Sequence, residues 1–216
     1  DGNDRVEEFD SSGKYLSQFG FPGSGPSQLN DPSGIGIDKS GNLYIVDTGN
    51  NRVEEFDSSG KYLSQFGSSG SGNGQFNSPT SIHVDNNLGR MYILDTGNNR
   101  LEVFDSSGKY LSQFGSSGSG NGQLDNPHGI RLDGSGNLYI VDSGNNRVEK
   151  FDSSGKYLSQ FSSTNINTNP QDENVNGKAG ETLNETSNDN TKHHHNGNSQ
   201  GNNGKSGSSH RHNHGQ

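Results

Sequence analysis

Short apolar and polar runs alternate along the first three quarters of the chain, and Gly, Asn, Asp or Ser closes each run. Residues 34–38 (Gly-Ile-Gly-Ile-Asp) form a first predicted strand, ended by a Lys-Ser-Gly-Asn turn. Residues 43–47 (Leu-Tyr-Ile-Val-Asp) form a second, Thr-Gly-Asn-Asn turns into a third at 52–56, and Asp-Ser-Ser-Gly turns into a fourth at 61–66. Enrichment in β-branched and aromatic residues with this punctuation is the signature of hairpins. In Asp-Ser-Ser-Gly the glycine suits the left-handed position that a three-residue hairpin needs. No stretch has helical spacing with caps, so the unit is a four-stranded antiparallel meander. Its second strand is apolar on both faces, as expected where a neighbouring sheet covers each side.

The unit recurs. Asp-Ser-Ser-Gly-Lys-Tyr-Leu-Ser-Gln-Phe occurs unchanged at 10–19, 57–66, 105–114 and 152–161, with starts 47, 48 and 47 residues apart. Strands are predicted again at 81–85, 91–95, 101–104 and 109–114, then at 129–133, 138–142, 148–151 and 156–161. The extra residue of the middle unit falls in the Asn-Asn-Leu-Gly turn at 86–89, where a surface turn absorbs it. A period of about 40–50 residues is that of propeller blades. Radially packed four-stranded blades cover both faces of the second strand and protect strand edges. The expected fold class is therefore all-β, a β-propeller arc of four-stranded blades. Its units are a half blade at 1–20 and blades at 21–67, 68–115 and 116–161.

Composition changes near Phe161. Residues 1–161 hold 44 of the 48 hydrophobic residues, and the last 55 residues hold only Ile166, Val175, Ala179 and Leu183. Four scattered apolar side chains do not offset the entropy of ordering such a length, so 162–216 is expected to be a disordered Asn/Ser/Gly/His-rich tail. Formal net charge is −9, which disfavours general binding to phosphate backbones. No run approaches the roughly 18 apolar residues of a membrane span. Without cysteine there are no disulfides and no thiol chemistry, and the redox compartment stays open. The polar Gly/Ser loops suit extracellular or cell-surface exposure.

Pro-x-Gly-Ile-x-x-Asp, then Leu-Tyr-Ile-Val-Asp-Thr-Gly-Asn-Asn-Arg-Val, then Phe-Asp-Ser-Ser-Gly-Lys resembles the NHL repeat, in every unit of residues 1–161. The resemblance implies a β-propeller, most often six-bladed, that serves as a binding platform for proteins or RNA. No RING, B-box, coiled-coil or kinase segment accompanies the repeats, so ligase and kinase activities do not carry over. Residues 1–161 supply 14 predicted strands, whereas six four-stranded blades need about 24. The expectation is a C-terminal fragment lacking about two and a half blades upstream.

A feature present in every unit is explained first by the blade. The Asp-Thr/Ser-Gly-Asn-Asn-Arg corners at 47–52, 95–100 and 142–147 offer carboxylate, amide and guanidinium together. Their repetition assigns them to turn stabilisation and an Arg–carboxylate pair rather than to ligand capture. Chemistry specific to this chain should lie where units differ. The position after the pre-strand proline reads Ser33, Thr80 and His128, and the third residue along the inner strand reads Gly36, His83 and Arg131. His83, His128 and Arg131 are the candidate ligand-binding residues of the channel face, against the plainer reading that they line a hydrated channel. No catalytic residue is assigned and no cofactor is required.

The repeats are also similar to those of the peptidylglycine amidating lyases, in which a histidine after the pre-strand proline is a zinc ligand in several blades. His128 matches that position, but Ser33 and Thr80 do not, and a catalytic zinc generally needs three protein ligands. A metal-dependent lyase or hydrolase is thus the alternative to a non-enzymatic platform for a protein, peptide or glycan. An RNA-binding propeller is the second alternative. In the tail, His193, His194, His195, His210, His212 and His214 offer weak, adventitious affinity for Zn, Ni or Cu.

Overall fold

A computed structural model describes residues 3–162 of the chain. The six tail histidines and the expected disordered segment beyond residue 162 lie outside the described residues. Strands β1 (Val6–Phe9) and β2 (Tyr15–Phe19) form a two-stranded antiparallel sheet. Two short strands, β3 (Phe21–Pro22) and β4 (Gln28–Leu29), pair in parallel across the first joining loop. Three four-stranded antiparallel sheets follow. The first holds β5 (Pro32–Ile37), β6 (Leu43–Asp47), β7 (Arg52–Phe56) and β8 (Tyr62–Phe66). The second holds β9 (Ser81–Asp85), β10 (Arg90–Asp95), β11 (Arg100–Asp105) and β12 (Tyr110–Phe114). The third holds β13 (Pro127–Leu132), β14 (Leu138–Asp142), β15 (Arg147–Phe151) and β16 (Tyr157–Ser162). In each sheet the strands pair in chain order, and the first strands β5, β9 and β13 run against one another along the inner side. Among the described residues no helix is long and apolar enough to cross a membrane.

The core lies between sheets rather than inside one. Tyr44, Val46 and Val53 of the first four-stranded sheet pack against Ile82, Met91, Ile93 and Phe104 of the second. Tyr92, Leu94, Leu101 and Val103 of the second pack against Ile130, Leu138, Ile140 and Phe151 of the third. Strand β10 therefore buries Ile93 toward one neighbour and Leu94 toward the other, which is why both of its faces are apolar. On β14 only one face is covered by a described sheet, and Val141 is 44% exposed.

The invariant decapeptide builds a turn and the outermost strand. In the second sheet Asp105 Oδ1 accepts hydrogen bonds from the Ser107 N–H, the Ser107 hydroxyl and the Lys109 N–H, while the Gly108 N–H donates to the Asp105 carbonyl. Gly108 has φ +79°, and the pairing shifts by one residue between Val103 and Phe104, as a hairpin with a bulge requires. A Cβ on Gly108 would lie 2.8 Å from the Phe66 ring of the preceding sheet. That ring stacks obliquely on Phe104, with centroids 4.9 Å apart. The turn glycine is thus required twice, by its backbone angle and by the neighbour it touches.

The joining loops are tightly organised despite their Gly/Ser composition. Each sends one apolar side chain, Leu29, Phe76 or Leu124, fully into an inter-sheet core. The chain around it is tied back on itself: in the second loop the Gly70 N–H donates to the Phe76 carbonyl and the Phe76 N–H to the Ser68 carbonyl.

Candidate functional site

The Asp-Thr/Ser-Gly-Asn-Asn-Arg corner joins the second and third strands of each sheet. In the second sheet Asp95 is completely buried, and its Oδ2 accepts from Arg100 Nε at 2.7 Å and Asn98 Nδ2 at 2.7 Å. Its Oδ1 accepts from the Asn77 N–H at 2.7 Å. The last asparagine, Asn99, takes the left-handed conformation at φ +52°, and its side-chain oxygen accepts from the Asn126 N–H of the next unit. The threonine reaches the same neighbour: Thr96 Oγ1 donates to the Pro127 carbonyl at 2.6 Å, as Thr48 Oγ1 does to Pro79 at 2.7 Å. Carboxylate and amides hold the corner, and the hydroxyl staples one blade to the next.

The arginine gathers the joining loop. Arg100 Nη1 donates to the Ser71 carbonyl and Gln113 Oε1, and Nη2 to the Gly72 and Gln75 carbonyls, all between 2.8 and 2.9 Å. Arg52 and Arg147 do the same in their own blades. Two residues further along each third strand, and so on the same face, stands a glutamate: Glu54, Glu102 or Glu149, each with no exposed surface. Arg100 Nη2 lies 3.1 Å from Glu102 Oε1 and Arg52 Nη2 2.9 Å from Glu54 Oε1. Those approaches are ion pairs off the N–H direction rather than hydrogen bonds, and Glu54 Oε1 has no hydrogen-bond partner. Burial pushes the carboxyls of Glu54 and Glu102 up to about 7 against the pull of the arginines, and it raises Glu149 as well.

Ser33 and Thr80 occupy the post-proline position and are consumed by the same inter-blade stapling. Ser33 Oγ lies 2.6 Å from Thr48 Oγ1 and donates to the Thr80 carbonyl, and Thr80 Oγ1 lies 2.6 Å from Thr96 Oγ1. His128 at the equivalent position is exposed, with Nδ1 2.9 Å from the Asn126 carbonyl of its own loop. His83 is half-buried on β9, directly across from Tyr92. Burial lowers its affinity for a proton, the Arg131 charge lowers it further, and Asp85 opposes them. Arg131 is exposed and makes one hydrogen bond, from Nη1 to the Ile130 carbonyl at 2.7 Å. A polar cavity of about 350 Å³ opens beside His83, walled by Asp85, Asn87, Leu132 and Asp133. The fold thus brings His83 and Arg131 within electrostatic reach of each other, while His128 lies three residues, about 10 Å of strand, away from Arg131. Among the described residues no three His, Asp or Glu side chains converge as metal ligands.

Residues 41–101 and 87–169 match the family DUF5128, described as 6-bladed beta-propeller. The chain belongs to this family. No curated protein matches it by sequence. Among solved structures, a streptogramin B lyase is similar over 74% of this chain and 48% of its own, at 16% identity and a TM-score of 0.57. A catalytically inactive virginiamycin B lyase from Staphylococcus aureus, crystallised with quinupristin, is similar over 74% and 49% at 18% identity and a TM-score of 0.56. The nidogen/laminin complex holds a chain similar over 73% and 59% at 19% identity and a TM-score of 0.58. The chain thus spans about half the length of both lyases. Likeness at these identities is likeness of fold.

The three glutamates escaped the sequence reading, although a signal was present. Arg-x-Glu recurs in every unit at positions that period-2 geometry places on one face of the third strand.

Proposed function

We propose that this propeller is a non-enzymatic binding platform of the NHL type, taking a protein, peptide or glycan on the channel side of its inner strands. The observation that carries the reading is a contrast in how polar groups are committed. The repeated Asp, Asn, Thr and Arg side chains direct their hydrogen bonds into turns, loops and neighbouring blades. Arg131 holds one bond to an adjacent carbonyl and presents its remaining donors beside a half-buried histidine. Uncommitted guanidinium donors suit a carboxylate or another oxygen-rich ligand group. A structural neighbour from the nidogen/laminin complex is in keeping with a protein partner. The reading keeps the expected division into a half blade at 1–20 and blades at 21–67, 68–115 and 116–161, and it needs no cofactor.

The test is a peptide and glycan array probed with the full chain, followed by calorimetry on the strongest ligand with His83→Ala, His128→Ala and Arg131→Ala. Loss of Arg131 should weaken binding at least about tenfold, roughly 1.4 kcal/mol. Unchanged affinity in all three variants refutes the assignment of the site.

A further inference from the structure

Buried polar atoms without partners are rare, so the same orphan in three successive blades demands a cause. Glu54 Oε2, Glu102 Oε2 and Glu149 Oε2 are all inaccessible and have no hydrogen-bond partner. Each glutamate lies under a joining loop. The Gly74 N–H donates to Glu102 Oε1 at 3.3 Å and the Gly122 N–H to Glu149 Oε1 at 3.2 Å, and in the first blade the Ser27 N–H faces Glu54 without closing a hydrogen bond. These donors sit at loop residues with positive φ: +72° at Gly74, +77° at Gly122 and +64° at Ser27. The loop is therefore both donor and lid, and lifting it would hydrate the carboxyl.

Charge within each cluster does not balance when every group is ionised. Glu102 is faced by Arg100 and Asp95 and by the Tyr110 phenol from β12; Glu54 is faced by Arg52, Asp47 and Tyr62; Glu149 by Arg147 and Asp142. One guanidinium stands against two carboxyls, and its N–H donors are already directed at the aspartate, the loop carbonyls and a glutamine. A proton on the glutamate restores neutrality.

We propose that Glu54, Glu102 and Glu149 form three copies of a pH-operated latch, each keeping a joining loop closed while protonated and releasing it when ionised. A carboxyl that holds its proton more tightly under the loop than in water makes loop opening more favourable as pH rises. For one latch the opening constant increases roughly 10- to 100-fold between pH 5 and pH 8.

Backbone hydrogen exchange of the full chain, corrected for the pH dependence of intrinsic exchange, reads this directly. Segments 20–29, 67–76 and 115–124 should lose roughly 10- to 100-fold in protection between pH 5 and pH 8, while β6 and β10 keep theirs. In the triple variant Glu54→Gln, Glu102→Gln, Glu149→Gln, glutamine imitates the protonated acid and the loops should stay protected at both pH values. A loop response that persists in the triple variant, or loops in the unmodified chain that ignore pH, overturns the proposal. Carboxyl-carbon NMR of the unmodified chain decides even if the variant does not fold. Glu54 and Glu102 titrating at about 7, with Glu149 also raised above the ordinary carboxylate range, support the latch, and all glutamates titrating together in that ordinary range end it.

Discussion

Arg100 and Arg5 occupy the same position of the repeat, yet removing them should have very different consequences. Arg100 is 6% exposed and its guanidinium makes one hydrogen bond to Asp95, one to Gln113 and three to loop carbonyls. Arg100→Ala leaves the Asp95 carboxylate buried without its cation and strips the Ser71, Gly72 and Gln75 carbonyls of their shared donor. Breaking a buried pair of this kind costs about 3–5 kcal/mol. Arg5 pairs with Glu7, but both side chains are about one-third exposed, at 33% and 34%. Arg5→Ala should therefore cost about 0–1 kcal/mol, as a hydrated surface pair does. Arg100→Lys should recover only part of the loss, because an ammonium cannot imitate the planar fork that spans carboxylate and carbonyls. Urea unfolding of the full chain, followed by circular dichroism, measures all three variants. Equal losses for Arg5→Ala and Arg100→Ala, or a loss below about 1 kcal/mol for Arg100→Ala, would refute the view that the cage holds the loop to the blade.

Three further outcomes follow from individual contacts. Thr96→Val keeps shape but removes the 2.6 Å bond to the Pro127 carbonyl, and should lower stability by about 1–2 kcal/mol in the same assay; an unchanged midpoint would show that the staple contributes nothing. Ser27→Gly relieves a side-chain-bearing residue at φ +64°, where the other two loops already use Gly74 and Gly122. It should raise stability by about 0.5–1 kcal/mol after the added freedom of the unfolded chain is counted, and destabilisation would contradict it. Stability should fall as pH rises from about 5 to 8, because Glu54, Glu102 and Glu149 hold their protons more tightly folded than unfolded. That stabilisation is complete below the unfolded value and is lost through about 7 for Glu54 and Glu102, by at most about 3 kcal/mol each. Thermal melts across this range should flatten in Glu102→Gln, and a wild-type melting temperature that rises between pH 5 and 8 would contradict the sign.

The blade was readable from residue pattern because its strands are short, apolar and sharply punctuated. The left-handed turn glycine, the strand order and the apolar inter-sheet faces all follow from period-2 alternation and the spacing of the decapeptide. The loops hid their structure for a physical reason. A segment such as Gly-Ser-Ser-Gly-Ser-Gly-Asn-Gly-Gln has no periodicity, and the single apolar residue after it, Phe76 or Leu124, has no sequence neighbour to reveal that it is a core plug. Its role appears only once the preceding and following sheets are side by side.

The same limitation governs the site. Sequence variation separates His83, His128 and Arg131 from the repeated corner residues, but it cannot say which way an inner-strand side chain faces. That depends on the neighbouring blade. A Cβ on Gly36 would lie 2.7 Å from Val84 of the next inner strand, so this position points into the gap between blades. His83, at the matching position, is correspondingly half-buried beside the third sheet and senses Arg131. The post-proline position points to the next blade as well, since Ser33 and Thr80 spend their hydroxyls there. Variation at either position therefore alters two things together, the chemistry of the inner side and the contact between successive blades. A binding assay on His83→Ala or Arg131→Ala consequently needs a parallel stability measurement, and affinity lost at unchanged stability is the result that assigns these residues to recognition.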